Sequence, residues 1–239
     1  LVVTALDGNS KPFILPAYVP QSFFLSADGT KVYFSGLRGE EVADEKYFGV
    51  TSWVLDLVSK KVAGLNLPVN HYLEAISSDG KTMISSTFTQ EKEFYVRRTF
   101  LTDGNAEKPI EILKPGVSAF EVRFSPDGSQ VLIHAVEYVN LKWNGGDFSA
   151  SDITRNEAVL VNVVTRKEST VESLPVATIR AWSWSPDGKR IAYVVHDPNA
   201  KGGVPGKKEY SIFVAEPNGA NAKLIYKAEG SDLEYFDWR

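Results

Sequence analysis

Apolar residues in this chain alternate with polar ones over short runs, and no useful length follows the three-and-four spacing of a helix. Four runs repeat one plan: LSADGTKVYF from Leu25, ISSDGKTMIS from Ile76, FSPDGSQVLI from Phe124 and WSPDGKRIAY from Trp184. In each, a large apolar residue and a serine precede Asp-Gly, and a second apolar run follows. The anchoring residues Asp28, Asp79, Asp127 and Asp187 lie 51, 48 and 60 residues apart. The repeated unit is therefore about 50 residues long.

Turn chemistry accounts for the columns. Serine suits the first position of a type I turn, proline the second and glycine the fourth. Aspartate at the third can bond the local backbone, and glycine supplies the left-handed conformation a hairpin of this length needs. Pro126 and Pro186 occupy the second position in two copies, Ala27 and Ser78 in the others. Each copy thus predicts a hairpin of strands A and B. A second hairpin, strands C and D, is predicted over 4–15, 53–65, 99–113, 159–171 and 213–226. Leu15-Pro16, Leu67-Pro68, Lys114-Pro115 and Leu174-Pro175 mark the resets between units, since proline cannot donate to a ladder.

Four strands per unit of this length is the pattern of a propeller blade. The sequence predicts an all-β fold, a single domain with complete blades at about 16–67, 68–114, 115–174 and 175–230. Residues 1–15 read as strands C and D of a preceding blade. Residues 231–239, with Trp238 in the column of Trp184, read as strand A of a following one. These end strands either close a fifth blade together or belong to a six- or seven-bladed ring; six blades is the expectation adopted.

The [Trp/Phe]-Ser-Pro-Asp-Gly-x-x-[Ile/Val] hairpin followed by an Asp-Gly or Asn-Gly hairpin resembles the WD40-like repeats of the TolB-type propellers. Residues 124–133 and 184–193 match best, and the copies at 25–34 and 76–85 lack the proline. The resemblance covers essentially the whole chain. It implies a periplasmic or extracellular location and a non-enzymatic scaffold that binds a protein partner. It equally implies the alternative of an N-terminal propeller that gates substrate entry to a prolyl-oligopeptidase-like serine peptidase, whose catalytic domain lies outside these residues.

Composition narrows the classes. The 239 residues are 43% hydrophobic, enough for a packed core, and the formal charge of −4 disfavours nucleic acid as partner. With no cysteine, disulfides, thiolate catalysis and Cys-based zinc sites are excluded. No run of 18 apolar residues is present, so no membrane-spanning helix is expected. The chain starts at Leu1 without a signal peptide, which reads as a processed or partial sequence.

In a propeller the A–B and C–D turns share one face and the B–C connections share the other. Here the A–B and C–D turns are short, whereas the B–C connections read as loops over 37–50, 88–93, 137–157 and 196–209. Long loops on a rigid scaffold are where binding residues concentrate. The candidate binding residues are accordingly Tyr47 and Phe48 in the first loop, Tyr138, Trp143, Asp147 and Phe148 in the third, and His196 and Asp197 opening the fourth. Aromatic residues with a polar end are common interface anchors. The acidic run 40–46 lacks calcium-loop spacing. His71, His134 and His196 do not share a level, so no metal or other cofactor is expected; His71 reads as a residue at the mouth of the central channel. No Gly-x-Ser-x-Gly elbow or phosphate-cradling loop occurs, and the repeated serines already have a turn role.

Overall fold

The computed structural model describes residues 2–3, 13–14, 18–26, 28–38, 51–68, 71–92, 94–103, 108–143, 148–171, 179–197, 208–230 and 238. All regular structure among them is β. A short pair, β1 (Val2–Val3) and β2 (Phe13–Ile14), comes first. Four antiparallel sheets of four strands follow, each in simple sequence order. The first holds β3 (Tyr18–Leu25), β4 (Lys31–Arg38), β5 (Thr51–Asp56) and β6 (Val62–Gly64). The second holds β7 (Tyr72–Ile76), β8 (Thr82–Glu91), β9 (Phe94–Asp103) and β10 (Ile110–Glu111). The third holds β11 (Val117–Phe124), β12 (Gln130–Val139), β15 (Asp152–Asn162) and β16 (Glu168–Thr170), with a separate hairpin of β13 (Lys142–Trp143) and β14 (Phe148–Ser149) inserted. The fourth holds β17 (Ile179–Trp184), β18 (Ile191–Asp197), β19 (Lys208–Ala215) and β20 (Lys223–Gly230).

Every A–B hairpin closes in the same way. Gly29, Gly80, Gly128 and Gly188 adopt φ of 68–73° and donate their N–H to the serine carbonyl three residues earlier, each at 2.9 Å. The serine hydroxyl then works twice. Ser26, Ser77, Ser125 and Ser185 donate to Oδ1 of the turn aspartate at 2.6–2.7 Å and accept the N–H five residues on at 2.9–3.0 Å. All four serines are buried, and this double use is what makes that burial tolerable. The C–D turns of the first and third sheets use other chemistry, whereas that of the fourth again closes on a glycine, Gly219, with φ of 83° and its N–H on the Glu216 carbonyl at 2.8 Å. Asp56 Oδ1 accepts from the N–H of Val58 and Ser59, Asn162 Oδ1 accepts from Thr165, and Lys60 and Arg166 take φ of 58° and 60°.

The core lies between consecutive sheets. Tyr33 of the first packs with Leu73 and Met83 of the second. Ala75, Ile84 and Leu101 pack with Val117, Val131 and Ile133 of the third. Leu132, Ala158 and Val171 pack with Trp182, Trp184 and Tyr193 of the fourth. Burying each large side chain stabilises by about 1.5–3 kcal/mol before entropy is counted. Polar stitches cross the same seams. Ser35 Oγ accepts the N–H of Leu73 at 3.0 Å, and Ser78 Oγ donates to the Pro126 carbonyl at 2.8 Å. Trp184 Nε1 donates to the Arg123 carbonyl at 3.2 Å, and Trp182 Nε1 donates to that of Glu121. At the C-terminal end the N–H of Trp238 donates to Ser183 Oγ at 3.2 Å, beside strand A of the fourth sheet.

Each A strand carries a β-bulge against its B strand: at Gln21, Glu74, Glu121–Val122 and Arg180. Such bulges bend and twist a strand. At Glu121 the backbone pays for this with φ of 42°, whereas the other non-glycine residues of positive φ occupy turns.

Candidate functional site

Two B–C connections depart from the loop expectation. The β8–β9 ladder runs without interruption to Glu91 opposite Phe94, so the described residues 88–92 are a hairpin end rather than a loop. The β12–β15 ladder continues to Val139 opposite Asp152, so only 140–151 leaves the main sheet, and β13 pairs β14 within that span. The charges in these segments concealed the strands, because they face one another. Glu137 lies opposite Arg155 in the ladder, and Lys114 Nζ approaches Glu137 Oε1 at 2.9 Å.

The extensions of the second and third sheets dock on each other. The Tyr95 N–H donates to the Leu141 carbonyl at 2.7 Å, and Lys142 Nζ sits 4.9 Å from the centre of the Phe94 ring. Beneath this contact is an aromatic cluster built around one cation. Arg97 on β9 pairs with the Glu74 carboxylate at the β7 bulge. Its guanidinium lies 5.3 Å from the Phe88 ring centre and 5.1 Å from that of Phe120, both cation–π distances. Tyr72 meets Phe88 edge-on at 5.9 Å, and Tyr138 meets Phe120 edge-on at 6.3 Å. The Arg97 side chain is only 11% exposed and Phe120 is 36% exposed, so the cation is interior and the ring forms part of the surface.

The cluster reaches into the fourth sheet through His134, which is 6.1 Å from Phe120 and 6.3 Å from Trp182, with Nε2 2.7 Å from Asn156 Oδ1. Glu121 adjoins it. Burial raises its carboxyl pKa, with Arg123 opposing that shift. Oε2 of Glu121 accepts no hydrogen bond, and Nε of Arg97 donates none. Burial likewise raises the Tyr72 and Tyr138 phenols. The arrangement offers apolar rings, hydroxyl and imidazole edges and a compensated cation, which suits recognition of another surface.

The candidates from sequence fall out as follows. Tyr138 joins the cluster from β12, opposite Ile153. Trp143 and Phe148 pair directly across the β13–β14 hairpin. His196 and Asp197 are in β18, opposite Tyr210 and Glu209, and so belong to a strand and not to a loop. Tyr47, Phe48 and Asp147 lie outside the described residues. His71 is half-buried: its Nδ1 is 3.0 Å from Ser85 Oγ, its ring is 4.9 Å from Phe100, and burial lowers its pKa. Sequence reasoning missed Phe88, Arg97 and Phe120, whose importance arises only when β9 and β11 meet. Among the described residues no group of three metal-ligating side chains converges, and no helix is long and apolar enough to cross a membrane. A depression of about 270 Å³ lies at the A–B and C–D end of the fourth sheet, lined by Arg190, Val214, Lys223 and Ile225 among others, away from the aromatic cluster.

No protein-family model matches the sequence, and no curated protein matches it. Solved structures do. The chain is similar to a TolB from Agrobacterium tumefaciens, with a TM-score of 0.52, 14% identity and coverage of 85% of this chain and 63% of that one. It is similar to the propeller domain of the Trilobed protease from Pyrococcus furiosus, with a TM-score of 0.55, 16% identity and coverage of 87% and 57%. An oligogalacturonate lyase in complex with manganese gives a TM-score of 0.53 at 14% identity, with coverage of 86% and 52%. The chain thus spans between about half and two thirds of the length of these proteins. At these identities the likeness establishes the fold, a β-propeller of the kind TolB has.

Proposed function

We propose that this chain is a non-enzymatic protein-binding propeller of the bacterial cell envelope or secreted space, and that it meets its partner through the B–C face. One observation carries the reading: the B–C ends of the second and third sheets dock on each other around Phe88, Arg97, Phe120 and Tyr138. The A–B turns on the opposite face are short and fully used in closing hairpins. Aromatic residues set around a buried, compensated cation match the composition of interface hot spots. Trp143 and Phe148, opposite each other in the β13–β14 register, belong to the proposed contact region. Alanine at Trp143, Phe148 and Tyr138 together is expected to weaken capture of the partner from envelope extract at unchanged thermal stability. Capture at the parental level would refute the proposal.

The propeller domain of a protease among the similar structures motivates a second reading, a gating domain in front of a serine peptidase. The sequence following Arg239 separates the two. A helix–strand region with Gly-x-Ser-x-Gly favours the peptidase; further Ser-x-Asp-Gly repeats followed by a stop favour the binding propeller.

A further inference from the structure

One dipeptide closes all four A–B hairpins: Asp28-Gly29, Asp79-Gly80, Asp127-Gly128 and Asp187-Gly188. Asp-Gly is open to a covalent rearrangement of the backbone, because glycine places no side chain in the way. The glycine nitrogen attacks Cγ of the aspartic acid. An N–Cγ bond forms, and the glycine N–H proton leaves with the carboxyl OH as water, giving a five-membered succinimide. Water then opens either carbonyl and returns aspartate or isoaspartate, in which the main chain runs through Cβ. One water leaves and one enters, with no other reactant. The step needs a neutral carboxyl, since a carboxylate is a poor electrophile, and a glycine N–H able to give up its proton.

Every copy withholds both requirements. The glycine N–H is committed to the serine carbonyl at 2.9 Å. Oδ1 of the aspartate accepts from the serine hydroxyl at 2.6–2.7 Å and from the N–H two residues on at 3.0–3.1 Å. Hydrogen bonds of this kind favour the ionised form, and the four carboxyls are held below the ordinary range. The hydroxyls of Thr30 and Ser129 add a further donor to Asp28 and Asp127 at 2.8–2.9 Å, where positions 81 and 189 are lysines. We infer that each A–B turn is a guarded isoaspartate site: the serine hydroxyl fixes the aspartate carboxylate, the serine carbonyl fixes the glycine N–H, and together they keep Asp28, Asp79, Asp127 and Asp187 from closing on the glycine that follows. Loss of the guard reaches beyond one turn, because successive turns touch. Ser78 Oγ donates to the Pro126 carbonyl at 2.8 Å, and a Cβ built on Gly128 or Gly188 would lie 3.6 Å from Ser77 Cβ or Pro126 Cδ. The inference is independent of the B–C face reading.

Incubation at neutral pH tests it. The four turns of the folded parent are expected to form isoaspartate far more slowly than the same turns in urea. Ser185→Ala removes the hydroxyl from Asp187, and Ser129→Ala removes one of those on Asp127 without touching a buried serine. Trypsin releases the two sites in separate peptides, 181–189 and 124–142. In these the succinimide is one water lighter, and chromatography with electron-transfer fragmentation tells isoaspartate from aspartate. Isoaspartate at 187 should rise about tenfold in the first variant, the factor that corresponds to one lost hydrogen bond to a charged group. The rise at 127 in the second should be smaller, because Ser125 still donates there. Each rise should be confined to its own turn, which separates it from global unfolding, and thermal melts confirm that the variants are folded. Unchanged rates at 187 and 127 in the folded variants, isoaspartate spread evenly over all four turns of a folded variant, or a folded parent that isomerises as fast as the chain in urea would each overturn the inference.

Discussion

Replacing Gly80 with alanine tests the seam between the first two sheets. Gly80 has φ of 73°, and a Cβ built on it would lie 2.3 Å from Tyr33 Oη and 3.1 Å from Tyr33 Cζ. Gly29 occupies the same turn position one unit earlier with φ of 68° and nothing within 4 Å. At Gly29, alanine meets only the left-handed backbone penalty, about 1–2 kcal/mol. At Gly80 it also meets Tyr33, which is 6% exposed and packed with Leu73 and Met83, so the ring cannot simply swing aside. Overpacking of this kind adds about 1–3 kcal/mol, for a total of about 2–5 kcal/mol at Gly80. Urea unfolding of both variants should show the difference, and melting should fall by about 2–4 °C per kcal/mol for a chain of this size. In a Tyr33→Phe background the hydroxyl is gone, and the cost of Gly80→Ala should drop toward that of Gly29→Ala. Equal costs at the two glycines, or no change on removing the hydroxyl, would refute the reasoning.

Further outcomes follow from the same geometry. Hydrogen bonds from the turn serines hold the Asp28 carboxyl down at about 2 and depress Asp79, Asp127 and Asp187 likewise. Each folded-state pKa lies below the unfolded value near 3.9, so the stability these groups add is present above about pH 4 and is lost as pH falls toward their folded pKa values. Melting temperature should drop steeply over that window, and Asp28→Asn should make the drop shallower; an unchanged acid profile would contradict this. Glu121→Gly should be more stable than Glu121→Ala by about 1 kcal/mol in chemical unfolding, because glycine accepts positive φ; the reverse order, normal within a strand, would show that the bulge relaxes. Arg97→Met should cost about 3–5 kcal/mol by leaving Glu74 buried without its cation, and adding Glu74→Gln should recover much of it. Equal stability of the single and double variants would dissolve the pair.

The A–B hairpins were fully legible because their determinants are local. Serine, aspartate and glycine act within five residues of one another, so spacing alone exposes them. The C–D turns of the first and third sheets were harder. Asp56 and Asn162 cap them from the last strand position, and Lys60 and Arg166 bear the positive φ, but none of these residue types marks a turn alone. The B–C extensions were misread because charged residues there signalled solvent, while in the fold Glu137 and Arg155 sit opposite each other across a ladder. Tyr138 was identified for its aromatic ring, but its partner Phe120 and the cation beside it come from other strands. An arginine between Val96 and Arg98 gives no sign that Phe88 and Phe120 will both lie at cation–π distance from it. His71 meets Ser85 and Phe100, contacts that appear only when β8 and β9 assemble beside it.

Face-resolved photo-cross-linking in envelope extract tests the central claim most directly. A photoreactive phenylalanine analogue at Phe120 or Tyr138 reports on the B–C face, and the same analogue at Val58 or Val164 reports on the C–D turns opposite. The account predicts one defined protein adduct from the first pair and none from the second. The same adduct from Val58 or Val164, with none from Phe120 or Tyr138, would contradict it.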